Sequence, residues 1–192
     1  MSFDVLKGKK YPVAVIAIVA VNMLLFIGPD LMGVPCSLEE LLMAGGMHGF
    51  MMEDGEYYRL ITAAFLHFSF SHVLNNMFVG ALLGARLENI VGSIRFLILY
   101  LVSAVGANAV SLLYYSRFDP TSLSAGASGA VFGIVGGLLG ISLRKRDSVD
   151  ITPKQIAIYA LLSLYSGFAT AGVNNIAHLS GMVFGFLLGL VI

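Results

Sequence analysis

Residues 124–133 read "SAGASGAVFG", and no charged residue follows until Arg144. A stretch of this kind cannot face water along its length. It reads as the start of a helix buried in a membrane. Ser128 stands at its mouth, flanked by Gly126 and Gly129. A serine in that place is either a small packing residue or a nucleophile held where water and a substrate can reach it. The rest of the chain has to decide between these.

Composition gives the solvent. Of 192 residues, 58% are hydrophobic and 11% charged, with a mean hydropathy of +0.89. A soluble domain carries about 25% charged residues, so a water-facing surface cannot be built from this chain and an integral membrane protein is expected. The net charge of +0 argues against a nucleic-acid partner. A single cysteine, Cys36, excludes an intrachain disulfide and leaves the redox compartment open. There is no Trp, so interfacial anchoring falls to the eight Tyr. The opening "MSFDVLKGKK" and its apolar sequel resemble a signal peptide, but residues 11–27 outlast an h-region and no A-x-A site follows. They read as a retained first span.

A span takes about 20 mostly apolar residues. Charge-free windows lie at 11–29, 60–85, 96–116, 120–143 and 155–192. The first part of 60–85 is rich in His, Ser and Phe and belongs at the surface, and the early residues of 120–143 belong to a loop. The last window has 38 residues. As one helix it would run roughly 57 Å, against a hydrocarbon core of about 30 Å. It must break, and "SGFATAGVNN" at 166–175 is the place. Six spans result. With both ends on one side, that side carries Lys7, Lys9, Lys10, Arg86, Arg95, Arg144, Lys145, Arg146 and Lys154, and the other only Arg59 and Arg117. Nine against two puts both termini in the cytoplasm. The long first outer loop, about residues 30–66, holds "EELLMAGG" and "LITAAFLHF", which suggest short helices at the interface. "RKRD" at 144–147 is a solvated inner loop.

Parity then brings polar groups to one depth. Spans two, four and six all begin at the outer face. His72 lies near the start of span two, Ser128 of span four and His178 of span six. His72 and Asn76 are i and i+4 and share a helix face. His178, Gly181, Gly185 and Gly189 form one stripe, and Gly129, Gly133 and Gly137 another beside Ser128. Small-xxx-small stripes let backbones approach closely in lipid. If spans four and six pack along them, Ser128 and His178 meet at their outer ends.

A serine hydroxyl is a weak nucleophile until a neighbouring base takes its proton, and a neutral imidazole titrates near working pH. The free N–H groups of a helix N-terminus can hold an oxyanion, the Ser128 N–H among them, with His72 and Asn76 as further donors. No Asp or Glu is placed to orient His178, so a dyad fits better than a triad.

At these residues the chain resembles the rhomboid family of intramembrane serine proteases, over nearly its whole length. Gly126-Ala127-Ser128-Gly129 is similar to the family's G-x-S-G motif, and "AHLSGMVFG" at 177–185 to its last-span A-H-x-x-G-x-x-x-G. "HFSFSHVLNN" at 67–76 resembles its H-x-x-x-N, and "LENIVGSIRFLILY" at 87–100 its turn between spans two and three. The resemblance implies a single membrane domain over residues 1–192, an all-α polytopic fold of six transmembrane helices, and no metal or cofactor. It implies Ser128 as nucleophile, His178 as general base, and His72, Asn76 and the Ser128 N–H at the oxyanion. Gly126, Phe132 and Phe168 are expected on the substrate side, Phe132 packing on the histidine and Phe168 on the gating fifth span. Tyr58, Arg59, Glu88, Gly92, Gly129, Gly181 and Gly185 are expected to be structural, with Tyr58 standing where the family has Trp. The substrates would be transmembrane segments of other proteins, entering from the lipid bilayer and cut near the outer face, in what is expected to be a prokaryotic plasma membrane. Neither the substrate's identity nor the oligomeric state follows.

The competing readings are plainer. Ser128 could be packing, as Ser103 and Ser124 are taken to be. His72 and Asn76 could be interhelical glue. His67 is expected in a loop or surface network, and His48 without a role. A zinc site from His67 and His72 lacks a matching ligand pair. A non-catalytic rhomboid-like protein that binds membrane clients would be expected to lack Ser or His, and both are present. A transporter would want intramembrane charges or helices broken at the midplane, whereas the charges here lie at the borders.

Overall fold

In a computed structural model, residues 11–31, 37–51, 55–144, 151–168 and 172–192 are described. Cys36, Lys7, Lys9, Lys10, Lys145, Arg146 and the side chain of Phe168 lie outside the described residues. The chain is predominantly helical: α1 (Val13–Leu31), α2 (Leu38–Met43), α3 (Arg59–Thr62), α4 (Phe70–Val91), α5 (Ser93–Phe118), α6 (Ser128–Arg144), α7 (Pro153–Phe168) and α8 (Asn175–Val191). Two dipeptide strands, β1 (Met47–His48) and β2 (Leu123–Ser124), pair antiparallel, Met47 opposite Ser124 and His48 opposite Leu123. This pairing is absent from the sequence reading, because two residues carry no alternation to read.

Six long helices among the described residues form an all-α bundle with an apolar outside. Ile16, Leu24, Phe78, Ile98, Leu113, Leu161, Val183 and Leu187 are all exposed on it, as suits helices bathed in lipid. Among the described residues α5, with 26, is the one helix long and apolar enough by length and composition alone to cross a membrane; α1, α6 and α8 have shorter apolar stretches. The second helix begins later and ends later than the apolar window 60–85 suggested. Ser69 caps it, its hydroxyl accepting the His72 N–H at 3.2 Å. It runs on through Arg86 and Glu88 to Gly92, whose φ of +84° suits a residue without Cβ and turns the chain directly into α5.

Glu88 explains how a carboxyl side chain is tolerated there. It is 4% exposed and accepts the N–H groups of Ala14 at 3.0 Å and Val15 at 2.8 Å, capping α1 from another helix. It also accepts the Ser93 hydroxyl at 2.6 Å, bracing the turn into α5.

Helix α6 is the centre, with 13 of its 17 residues buried. Against α5, Gly133 faces Ser103 and Gly129 faces Ala107. Against α8 the two glycine stripes are in register and parallel: a Cβ at Gly181, Gly185 or Gly189 would strike the carbonyl oxygen of Gly129, Gly133 or Gly137 respectively. Ala130, Ile134, Leu138, Phe96, Leu99 and Tyr100 fill the space towards α1, α4 and α5.

The segment between α1 and α4 is folded down by Arg59. It is 7% exposed, and its guanidinium donates to the carboxylate of Glu56 at 2.7 Å, to the Gly46 carbonyl at 2.8 Å and to the Leu42 carbonyl. The planar fork of Arg serves three acceptors at once. Tyr58 is half exposed beneath that guanidinium and reaches Glu56 at 3.4 Å. The fork holds the Glu56 carboxyl below its ordinary range, chiefly by the hydrogen bond from Arg59. His48 lies beside the same carboxylate, its Nε2 3.7 Å from Glu56.

Candidate active site

The approach to Ser128 is fixed by the segment before α4. The Gly126 N–H donates to the Ala63 carbonyl at 2.8 Å, and the Ala127 N–H to Nε2 of His67 at 3.4 Å. Val131 N–H then returns to the Ala127 carbonyl at 3.0 Å and the helix begins. Ser128 is therefore the first residue of α6, where backbone N–H groups have no partner within the helix. His67 is 2% exposed, so it belongs to a buried loop and not to a surface network. As an acceptor at Nε2 it must be neutral. Burial pushes its pKa down to about 3, His72 adding to this and the Phe65 carbonyl opposing it.

Gly126 has φ +139°, open to glycine and strained for other residues. A Cβ there would lie 2.8 Å from Cε1 and 3.0 Å from Nε2 of His72, and 3.8 Å from Oγ of Ser128. The imidazole and the hydroxyl therefore border the same small space. His72 is held in place by Phe68, stacked at 6.0 Å and 9°, and by the edge of His67 at 5.0 Å. Asn76, one turn further along α4, is 4% exposed, and its Nδ2 finds no hydrogen-bond partner among the described residues. A buried donor without a partner is costly and points to a ligand or water.

His178 comes to the same end of the bundle from α8. The registered stripes fix the depth: Ala177 lies against Gly129, next in chain to Ser128. Phe132, one turn along α6 from Ser128, stacks on the His178 ring with centroids 4.4 Å apart and planes 16° from parallel. Nδ1 of His178 is buried, and no carboxylate or other partner reaches it among the described residues. Among the described residues no hydrogen bond joins the Ser128 hydroxyl to His178; the two share neighbours. Nor do three His, Cys, Asp or Glu side chains converge there as metal ligands.

Sequence reasoning missed Asn174. Its Oδ1 caps α8 by accepting the Ala177 N–H at 2.9 Å, and its Nδ2 donates to Ser111 at 2.5 Å and Ser124 at 2.8 Å. Ser124 is thus a hydrogen-bonding residue, not plain packing. An Asn just ahead of the apolar run "IAHLSG" was a helix-start signal that could have been read.

Comparison with known proteins gives the chain's family. The Rhomboid domain model matches residues 54–192. Rhomboid protease GluP of Bacillus subtilis (strain 168) is 31% identical over 169 residues, 88% of this chain and 32% of that protein. RHOMBOID-like protein 4 of Arabidopsis thaliana is 34% identical over 161 residues, 82% of this chain and 40% of that protein. YdcA of Bacillus subtilis is 33% identical over 136 residues, 70% of this chain and 67% of that protein. The chain spans about a third of GluP and two fifths of the Arabidopsis protein. The domain match covers most of the chain, including all three candidate helix starts, and the chain belongs to the rhomboid family, whose members are integral membrane proteins.

Proposed function

We propose that the chain is an intramembrane serine endopeptidase in which Ser128 and His178 act as a dyad. The observation that carries this is the common end of α4, α6 and α8. His72 and Ser128 border the glycine of Gly126, and His178 stacks on Phe132 one turn away. The relatives named as rhomboid proteases support the reaction class.

Ser128 Oγ attacks the scissile carbonyl while Nε2 of His178 takes its proton. The resulting oxyanion accepts hydrogen bonds from the Ser128 N–H, His72 and Asn76. One such donor is worth about 10²–10³ in rate. His178 returns the proton to the departing amine, leaving an acyl ester on Ser128. His178 then removes a proton from a water that attacks the ester, and Ser128 is released. The unpartnered Nδ2 of Asn76 fits a donor awaiting charge.

The substrate is a transmembrane segment of another protein, arriving through the bilayer past α7 or the segment before α4. Six membrane crossings and cytoplasmic termini, in a prokaryotic plasma membrane, complete the reading, with the lysine and arginine distribution in support. Helix length adds a physical reason for a site inside the membrane. Ser128 stands about 24 Å along α6 from Arg144. With Arg144 at the inner border of a core about 30 Å thick, Ser128 lies several ångströms below the outer border. Water must come down to it, and a transmembrane substrate meets it near that face.

The test is labelling of the detergent-purified chain with a fluorophosphonate serine probe, beside Ser128→Ala and His178→Ala. Labelling of the wild type alone, with cleavage of a single-span substrate, supports the reading. Folded, unlabelled protein that leaves the substrate intact points to a non-catalytic client-binding bundle.

A further inference from the structure

We infer that Asn174 is a positioning residue that sets His178 against Ser128, through a hydrogen-bonded hub one turn above both. This rests on the dyad reading above. The geometry is specific. Asn174 stands four residues before His178, and its carbonyl accepts the His178 N–H at 3.2 Å. Its side-chain Oδ1 accepts the Ala177 N–H at 2.9 Å. Both attachments fix the first turn of α8, on which the imidazole rides. The other half of the same amide reaches out of the helix. Nδ2 donates to Ser111, a fully buried residue of α5, at 2.5 Å, and to Ser124 at 2.8 Å.

Ser124 stands before Ser128 as Asn174 stands before His178, four residues upstream in each case. It belongs to β2, which Met47 of β1 holds from the other side. One planar amide thus ties the start of the base's helix to the strand that leads to the nucleophile, with α5 as a third anchor. Every hydrogen-bonding direction of that amide but one oxygen lone pair is used, so its orientation is fixed. The glycine stripes set the distance and register of α6 and α8 but carry no side chain that could orient the imidazole. The hub supplies the missing constraint.

Asp at this position keeps the cap, and its second oxygen can accept from both serine hydroxyls, which rotate to donate. Asn174→Asp is therefore the conservative variant. The experiment measures the fluorophosphonate labelling rate, and kcat and KM on a model single-span substrate, for the full chain and for Asn174→Ala, Asn174→Asp, Ser124→Ala and the double variant Asn174→Ala with Ser124→Ala. Expected is a loss of roughly three- to tenfold in labelling rate and kcat for each alanine variant, from one neutral hydrogen bond's worth of free energy. KM should stay unchanged, Asn174→Asp should recover most of the rate, and the double variant should be no slower than Asn174→Ala alone. If Asn174→Ala does not fold, Ser124→Ala decides, because it keeps the helix cap and removes only the bridge. Wild-type rates in Ser124→Ala, losses that add in the double variant, or an Asp variant as slow as Ala overturn the inference while leaving the dyad standing. An inert wild type overturns the dyad itself, and the two failures are thereby distinct.

Discussion

The ring of Phe132 lies flat on the imidazole of His178, 4.4 Å between centroids and 16° from parallel. A stacked aromatic holds a ring in one plane without consuming either nitrogen. For a histidine with no carboxylate at Nδ1 among the described residues, it is the neighbour that fixes the tilt. Phe132→Ala should therefore slow fluorophosphonate labelling by about tenfold, matching the roughly 0.5–1.5 kcal/mol of an aromatic pair. Phe132→Tyr keeps the stack and should label near the wild-type rate. Equal rates for Ala and Phe would show that the stack does not orient the base.

The contact between α6 and α8 predicts a steep size limit. A side chain at Gly185 has the backbone of Gly133 in its way. Overpacking of this sort costs about 1–3 kcal/mol, and more where backbone must move. Gly185→Val should lower the thermal midpoint in detergent and abolish cleavage. Gly172, which meets nothing within 4 Å, is the control for stability when replaced by Asn, a residue that tolerates its positive φ of +79°.

Glu88 predicts a stability effect far from the site. Glu88→Ala leaves the Ala14 and Val15 N–H groups uncapped inside the protein. About 2 kcal/mol of stability should go, within the range for hydrogen bonds to a charged group. Glu88→Gln retains one acceptor oxygen and should lose less. Chemical denaturation of both variants beside the wild type measures this. The labelling rate at a temperature where all are folded should hardly change.

His67 gives a pH dependence whose sign is fixed. In the unfolded chain the ring binds a proton near pH 6.5, and in the native state only near 3. Between those values the unfolded state holds more protons, so stability falls as pH falls from about 6.5 towards 3, by up to about 1.4 kcal/mol per pH unit for this one group. Protonation would also remove the acceptor of the Ala127 N–H. His67→Gln keeps an acceptor and should flatten the decline, a difference that denaturation at pH 7 and pH 5 would expose.

Much of this was legible in the chain. The apolar windows announced the long helices, because lipid imposes one pattern on every span. The glycine stripes announced the face on which α6 meets α8, because little else lets two backbones touch. Parity of the expected spans put Ser128, His72 and His178 at one depth, and in the fold their side chains share neighbours. The boundaries were less legible. The window 60–85 hid a start at Phe70 and an end beyond Glu88, because the partner that makes Glu88 tolerable, the N-terminus of α1, lies more than 70 residues away. His67 reads as a loop or surface-network residue; it is in a loop, but a buried one, since its partner Ala127 is 60 residues away. Asn174 was passed over and Ser124 read as packing, because each is ordinary alone and acquires meaning only from the other. Contacts between distant residues of unremarked type leave no periodicity to find.

One consequence follows from the register of Gly129, Gly133 and Gly137 on Gly181, Gly185 and Gly189. Where two helices touch through side chains, drift in those side chains slowly changes the gap. Here the gap is the thickness of two peptide chains, a quantity that mutation cannot adjust by degrees. The separation of α6 and α8 is thus gauged by main chain alone. The lipid-facing surface is free to vary around it, and the spacing of the two helices is kept unchanged or lost outright.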